Sequence, residues 1–327
     1  MQVGVTGAAG HVGGNLVRTL LEQGHKVRVL IHEDTRAIEG LDVERVVGDV
    51  RDPATVARFV AGCERVFHLA ALISLDPKDT PKLQEINVGG ARNVAEACLA
   101  AGVKRLVHFS SIHALSSHPK NEPIDETRPP SSGDALPYDL SKAAGEREVQ
   151  AVIARGLDAV ICNPTAIVGP YDFRPSHVGE LLLDLYHRRL PGLVKGGFDW
   201  VDVRDVVQGA IAAAERGRRG ERYLLSGKRR SVPEFADAVA ATTGKKRPWM
   251  VTPIWLAHAA APFATGFAKL AGRRPLFTRA SLVALSNHLE VRHDKARTEL
   301  GYNARPFEET LKDTYAWFEK AGMLAKS

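Results

Sequence analysis

Residues 3–14, VGVTGAAGHVGG, constrain the fold more than any other stretch of the chain. A short apolar run leads into three glycines spaced three apart, Gly7, Gly10 and Gly13, and an amphipathic pattern from Val12 to Gln23 follows. Glycine is needed where a chain turns sharply, where backbone N–H groups approach a pyrophosphate, and where a helix packs close to a strand. The helix N-terminus, at His11 and Val12, then turns a partial positive charge toward the phosphates. A strand before the triplet and a helix after it separate this turn from glycines that only reverse a chain. The expectation is a dinucleotide site.

The rhythm repeats. Runs at QVGVTG, KVRVLI, VERVVGD, RVFHLAA, RLVHFSS and LDAVICNP read as strands, and 12–23, 53–61, 84–101 and 138–155 read as helices between them. Such alternation predicts right-handed crossovers and an α/β fold with a doubly wound parallel Rossmann sheet. The strands are almost continuously apolar, as they are when helices cover both sheet faces. After Pro164 the pattern loosens into Gly/Pro-rich loops, WVDVRDVVQGAIAAAERG and ERYLLSG read as a return to the sheet, and from about Ser231 the chain reads as mostly helical. This divides it into a dinucleotide-binding domain, residues 1–168 and 199–228, and a smaller, mostly helical substrate-binding region, 169–198 and 229–327.

With 327 residues, 44% hydrophobic and 25% charged, the chain suits one large or two coupled domains. Its 44 Lys and Arg against 38 Asp and Glu give a net charge of +6, but the cations are interspersed with acids. That is a solvated surface and argues against a nucleic-acid partner. Cys63, Cys98 and Cys162 stand far apart, without the spacing of a zinc site or a disulfide framework, so no metal is expected and a reducing cytoplasm suits them. The first residues go directly into a strand with no basic and apolar leader, which also predicts a cytoplasmic protein. The stretch WMVTPIWLAHAAAPFATGFA, residues 249–268, is long and apolar, but Pro253 and Pro262 interrupt it. It reads first as a helix pair closing over a substrate through Trp255 and Phe263, second as a peripheral membrane contact, and not as a transmembrane span.

Which dinucleotide binds depends on the end of the second strand, where an acid grips the ribose hydroxyls or a cation accepts a 2′-phosphate. Ile31 and His32 stand where the acid is expected, with Glu33 and Asp34 just beyond and Arg36 following. The reading favours NADP(H), with NAD(H) open. Downstream, PYDLSKAAGERE places Tyr138 and Lys142 at i and i+4 on one helical face. The lysine charge is expected to lower the phenol from its reference of about 10, making Tyr138 a general acid/base. RLVHFSSIHAL ends a strand in Ser110 and Ser111, at the sheet edge where ligands bind. His68 and His113 read as structural hydrogen bonders before acid/base groups.

The motifs TGAAGHVG, GDVRD, HLAA, NVGGARNV, SS, YDLSK, NPTAIVGP and WVDVRDVV resemble those of the extended short-chain dehydrogenase/reductases, the NAD(P)-dependent epimerase/dehydratase group. Within it, VRVLIHEDTRAIEGLDVERVVGDVRD and HLEVRHDKARTELGYNARPFEETLKDTYAWF look most like the branch of dihydroflavonol-4-reductase, 3β-hydroxysteroid dehydrogenase-like proteins and hopanoid-associated sugar epimerases. The resemblance implies that Ser111, or Ser110 in the other register, holds the substrate oxygen, Tyr138 exchanges the proton, and Lys142 binds the nicotinamide ribose. Gly7, Gly10 and Gly13, with His11 and Val12, would cradle the pyrophosphate, and Asp49 and Val50 would meet the adenine. Ala70 and Ala71 would line the ribose and phosphates, and Pro164 and Ile167 the nicotinamide. His32 stands where NADP-preferring relatives often place Arg.

Three activities follow as alternatives. The first is an oxidoreductase acting on a carbonyl or alcohol carbon of a small apolar substrate, as a monomer or homodimer. The second is a nucleotide-sugar epimerase or dehydratase with tightly held NAD, whose diphosphate would draw on Arg174, Lys195 or Arg204. The third is a non-catalytic NADP-binding regulator, against which the retained Tyr138 and Lys142 argue.

Overall fold

Short runs rich in β-branched residues form strands, and six of them lie side by side in the computed structural model, which describes residues 1–259, 282–283, 285 and 290–325. They are β1 (Gln2–Thr6), β2 (Lys26–Ile31), β3 (Glu44–Val47), β4 (Arg65–His68), β5 (Arg105–Phe109) and β6 (Ala159–Pro164). Arg222–Leu225 (β10) joins beside β6, giving an all-parallel sheet in the order β10-β6-β5-β4-β1-β2-β3. The chain winds outward from β1 to β3 and then returns to β4 on the other side of β1, so the order reverses between β1 and β4. A crevice opens at the carboxyl ends of the strands at such a point.

Helices cover both faces. α1 (His11–Glu22) buries Leu16, Val17 and Leu20 against Val3 and Val5 of the sheet. On the other face, α2 (Pro53–Val60) contributes Val56, Phe59 and Val60. α3 (Thr80–Leu83) passes through a π-helical stretch, Gln84–Gly89, into α4 (Gly90–Ala100), which contributes Ala91, Val94, Ala95 and Cys98. α5 (Pro137–Ala154) adds Val149, Val152 and Ile153. These positions recur at three- and four-residue spacing, the apolar stripe of a helix packed on one side. Each fully buried aliphatic side chain contributes about 1.5–3 kcal/mol.

Beyond Pro164 a second core forms. β7 (Ala166–Val168), β9 (Gly197–Asp202) and β11 (Lys228–Ser231) make a sheet in the order β11-β9-β7, and β8 (Leu193–Val194) pairs with β12 (Val251–Thr252). α6 (His177–Tyr186), α8 (Val232–Thr243) and α10 (Phe307–Lys320) pack around Trp200, Phe235, Phe307 and Phe318. α7 (Val203–Arg216) and α9 (Asp294–Leu300) instead return to the α1 face of the large sheet. The expectation that WVD rejoins the central sheet is corrected. Trp200 packs on Phe235 at 4.4 Å and donates its indole N–H to Arg230 O, which holds β9 in the smaller sheet. Only ERYLLSG returns, as β10.

The expected substrate cover can be followed only in part. Trp255 is 69% exposed and Trp249 88%. Pro262, Phe263 and Phe267 lie outside the described residues. Among the described residues no helix is long and apolar enough to cross a membrane.

Candidate active site

The three glycines do different work. Gly7 has φ +71°, and a Cβ there would stand 2.7 Å from Ala70 N. A Cβ at Gly13 would lie 2.1 Å from Gly7 O, so only glycine lets α1 reach the strand. At Gly10 a Cβ would meet nothing closer than Gly7 O at 3.3 Å, so its missing side chain leaves space on the open side of the turn. Gly10 caps α1 with no side-chain acceptor and no acid follows in the first turn. By contrast Asp52 accepts from Ala54 N and Thr55 N to cap α2, and Ser231 forms a capping box at α8. An unclaimed helix N-terminus at the carboxyl edge of β1 fits an anionic phosphate group.

The His11 ring is held to the loop after β7. Its Nε2 lies 3.1 Å from Gly169 O and 3.0 Å from Pro170 O, and because both partners only accept, this nitrogen carries the proton. Val12 is half-buried against the core beneath α1.

At the adenosine end, His32 follows β2 with an exposed ring and its Nε2 3.4 Å from Asp49 Oδ2. Arg36 is turned onto Asp34 through Nε at 3.0 Å and Nη2 at 2.6 Å, which holds the Asp34 carboxyl down to about 2. Asp49 is gripped in the same way by Arg51, whose Nη1 also reaches Glu85 at 3.2 Å. Val50 is buried, and a Cβ on Gly90 would come within 2.8 Å of it. An open groove of about 610 Å³, lined in part by Asp49, Arg51, Glu85 and Asn93, lies beside this end. Ala70 N donates to Thr6 Oγ1 at 3.1 Å, and Ala71 is exposed. Pro164 ends β6 and Ile167 lies in β7, paired with Val201.

Three remaining candidates meet at the end of β5. Ser110 N donates to Cys162 O, and the Ser110 hydroxyl is buried without a partner. The buried Ser111 hydroxyl accepts from His113 N at 3.2 Å and lowers the Tyr138 phenol, so Ser111 is the serine that acts on the tyrosine. One helical turn on, Lys142 Nζ donates to Phe109 O at 2.9 Å. Burial pushes the Tyr138 phenol up to about 12, with Asp139 adding to the rise and Ser111 opposing it. Burial likewise brings Lys142 down to about 8, against the pull of Glu146. The expected lowering of Tyr138 by Lys142 is absent, because the ammonium sits on the Phe109 carbonyl and desolvation outweighs every charge near the phenol.

Several residues here were not singled out in the sequence. Asn163 Nδ2 donates to Ser111 O at 2.9 Å and to Glu146 Oε1 at 2.6 Å, and Arg222 completes the chain to Glu146 at 2.9 Å. Asn87, inside the π-helical stretch, exchanges two hydrogen bonds with the Leu72 backbone and donates to Ser141 Oγ at 2.9 Å. Both asparagines stand in motifs that carried the resemblance, NPTAIVGP and NVGGARNV, but nothing in the letters says which neighbour each would hold. His113 Nδ1 lies 3.0 Å from Asp139 Oδ1, with its ring edge-on to Tyr138 at 5.6 Å. His68 hydrogen-bonds Thr6 at 2.7 Å and is depressed to about 3 by burial and by Lys142, so it is a neutral structural imidazole.

Comparison with known proteins agrees with this arrangement. The model of the NAD dependent epimerase/dehydratase family matches residues 3–226. Sterol demethylase protein B of Methylococcus capsulatus is 37% identical over 326 residues, covering 98% of this chain and 99% of that protein. The crystal structure of gox2253 matches with a TM-score of 0.85 at 36% identity, over 98% of both chains. MoeE5 in complex with UDP-glucose and NAD matches with a TM-score of 0.78 at 25% identity, over 98% of this chain and 99% of that one. With a doubly wound Rossmann sheet behind the glycine turn and a family match over more than half its length, the chain belongs to the NAD dependent epimerase/dehydratase family, the extended short-chain dehydrogenase/reductases, and is an NAD(P)-dependent oxidoreductase of that type.

Proposed function

We propose that the chain reduces a carbonyl, or oxidises the corresponding alcohol, on a small apolar substrate, with Ser111, Tyr138 and Lys142 as the catalytic residues. The observation that carries this reading is the burial of Ser111, Tyr138 and Lys142 together at the end of β5, with Lys142 Nζ on Phe109 O. A bound nicotinamide supplies or accepts the hydride at its C4. Tyr138, protonated at neutral pH, donates its phenolic proton to the substrate oxygen as charge develops there. Ser111 donates a second hydrogen bond to the same oxygen, and Asn163 fixes the Ser111 backbone from below. Lys142, now on the Phe109 carbonyl, would hold the ribose hydroxyls of a bound cofactor. The first-turn N–H groups of α1 after Gly10 hold the pyrophosphate, with Ala70 and Ala71 beside it, Asp49 and Val50 at the adenine, and Pro164 and Ile167 at the nicotinamide.

In this reading residues 1–168 and 199–228 form the cofactor half, and 169–198 with 229–327 the substrate half, except that β7, β9 and Lys228 of β11 pack with the substrate half. NADP(H) binds at least as tightly as NAD(H), because no acid ends β2 and His32 and Arg36 stand nearby. An apolar substrate is supported by the sterol in the name of the Methylococcus relative.

The likeness to MoeE5 with its nucleotide sugar favours a second reading, an epimerase or dehydratase acting on such a substrate. Against it, Arg204 is committed to Asp202 and Asp313 at 2.7 and 2.6 Å and is not available to a diphosphate. The discriminating experiment offers the purified protein stereospecifically deuterated NADPH or NADH with a panel of ketosteroids, and separately UDP-glucose. Deuterium transferred to a ketosteroid, with the cofactor exchanging freely, is expected. Retained NAD and turnover of UDP-glucose alone would replace this reading with the second.

A further inference from the structure

We propose that the face built from residues 187–195 and 244–256 docks the protein on an anionic lipid bilayer. The β8–β12 pairing holds the two segments together, Leu193 against Val251 and Val194 against Thr252. Backbone hydrogen bonds of 2.9 Å from Leu193 N to Met250 O and from Lys195 N to Thr252 O extend the contact. On this face Trp249 is 88% exposed, Trp255 69%, Leu256 44% and Met250 42%. Nine large hydrophobic side chains are exposed among the described residues, and these four fall within eight consecutive positions. Scattered exposed hydrophobics are ordinary, but a cluster containing two tryptophans is an interaction surface. Tryptophan, with an apolar ring and one N–H donor, prefers the boundary between lipid headgroups and acyl chains.

Charge selects the partner. The two segments contain Arg188, Arg189, Lys195, Lys245, Lys246 and Arg247 and no Asp or Glu. Arg247 reaches back to Asp237, Arg189 lies 3.9 Å from Asp184, and Lys245 rests over the Tyr186 ring at 5.0 Å, while Lys246 is exposed. A second copy of the chain meeting this face across a two-fold axis would bring two such sets of cations together, and an anionic membrane surface would neutralise them instead. Among the described residues no helix is long and apolar enough to span a membrane, so the contact is with the surface. It would place an enzyme for apolar compounds where such compounds concentrate, but the docking stands on the exposed residues and not on the activity.

The test is sedimentation of the full chain with phosphatidylcholine vesicles, with and without phosphatidylglycerol, together with tryptophan emission. Binding to the anionic vesicles, its loss at high salt and a blue shift of the emission are expected. Trp249→Ser with Trp255→Ser should abolish sedimentation, while each of Lys245→Gln and Lys246→Gln should weaken it about fivefold, the factor for about 1 kcal/mol per basic residue at an anionic surface. Cofactor affinity reports folding of each variant and should stay unchanged. No binding to either vesicle, equal binding to both, or unaltered binding by the tryptophan variants would overturn the proposal. So would vesicle-independent self-association that disappears in those variants, which would make the face a contact between copies.

Discussion

At Tyr138 two influences compete, and burial wins. Desolvation of a phenolate leaves the phenol near 12, so it is a proton donor ready for carbonyl reduction and a poor base at neutral pH. Alcohol oxidation should therefore climb steadily with pH across the alkaline range, whereas reduction should not, in initial rates measured in both directions. Lys142, with its value near 8, is charged below that pH and neutral above it. Cofactor affinity should fall as the pH rises through about 8, and Lys142→Met should weaken binding and flatten that dependence. Tyr138→Phe should cut turnover by about two to four orders of magnitude with cofactor affinity nearly unchanged. Ser111→Ala should lower turnover as well, and Ser110→Ala, which removes only an unpartnered hydroxyl, should have little effect in the same assay. The adenosine end supplies another prediction. Because Arg36 is already held by Asp34, Asp34→Ala should free it and tighten NADP(H) binding up to about fivefold without helping NAD(H), in parallel titrations.

The helix that matters most for cofactor binding is α1, and its glycines separate binding from folding. Gly10→Val adds atoms on the open side of the turn, so it should abolish cofactor binding while the thermal transition persists. Gly13→Ala forces a methyl to within 2.1 Å of a carbonyl oxygen, so it should destabilise beyond the about 1–3 kcal/mol of ordinary overpacking. Calorimetric unfolding and cofactor titration on both variants distinguish the two effects. The existence of α1 and of strands β1 to β6 was legible in the sequence, since periodicity and turn chemistry agree along that stretch. The spacing of Tyr138 and Lys142 was equally plain. What each side chain would touch was not: the Arg36–Asp34 clasp, the Lys142 bond to Phe109 O and the Asn163–Glu146–Arg222 chain depend on packing between elements far apart in sequence. The choice between Ser110 and Ser111 needed the register of β5 against β6, which spacing alone does not set.

Across the molecule, the small β7–β9–β11 sheet escaped a reading based on local pattern because β7 has only three residues and β11, KRRS, carries no apolar side chain. β10 returns to the large sheet after the chain has passed through β7 and β9 of the second core. That return has a consequence for the solubility of any fragment. β6 is buried along all six residues, an apolar strand whose outer hydrogen-bonding groups are taken by β10. A chain ended after Val168 would keep the glycine turn, six strands of the large sheet and the whole Ser111–Tyr138–Lys142 group, yet present β6 as a bare edge able to pair with its own kind. Such a fragment should aggregate on expression and stay soluble only when a peptide spanning Arg222–Leu225 is supplied with it, as measured by light scattering.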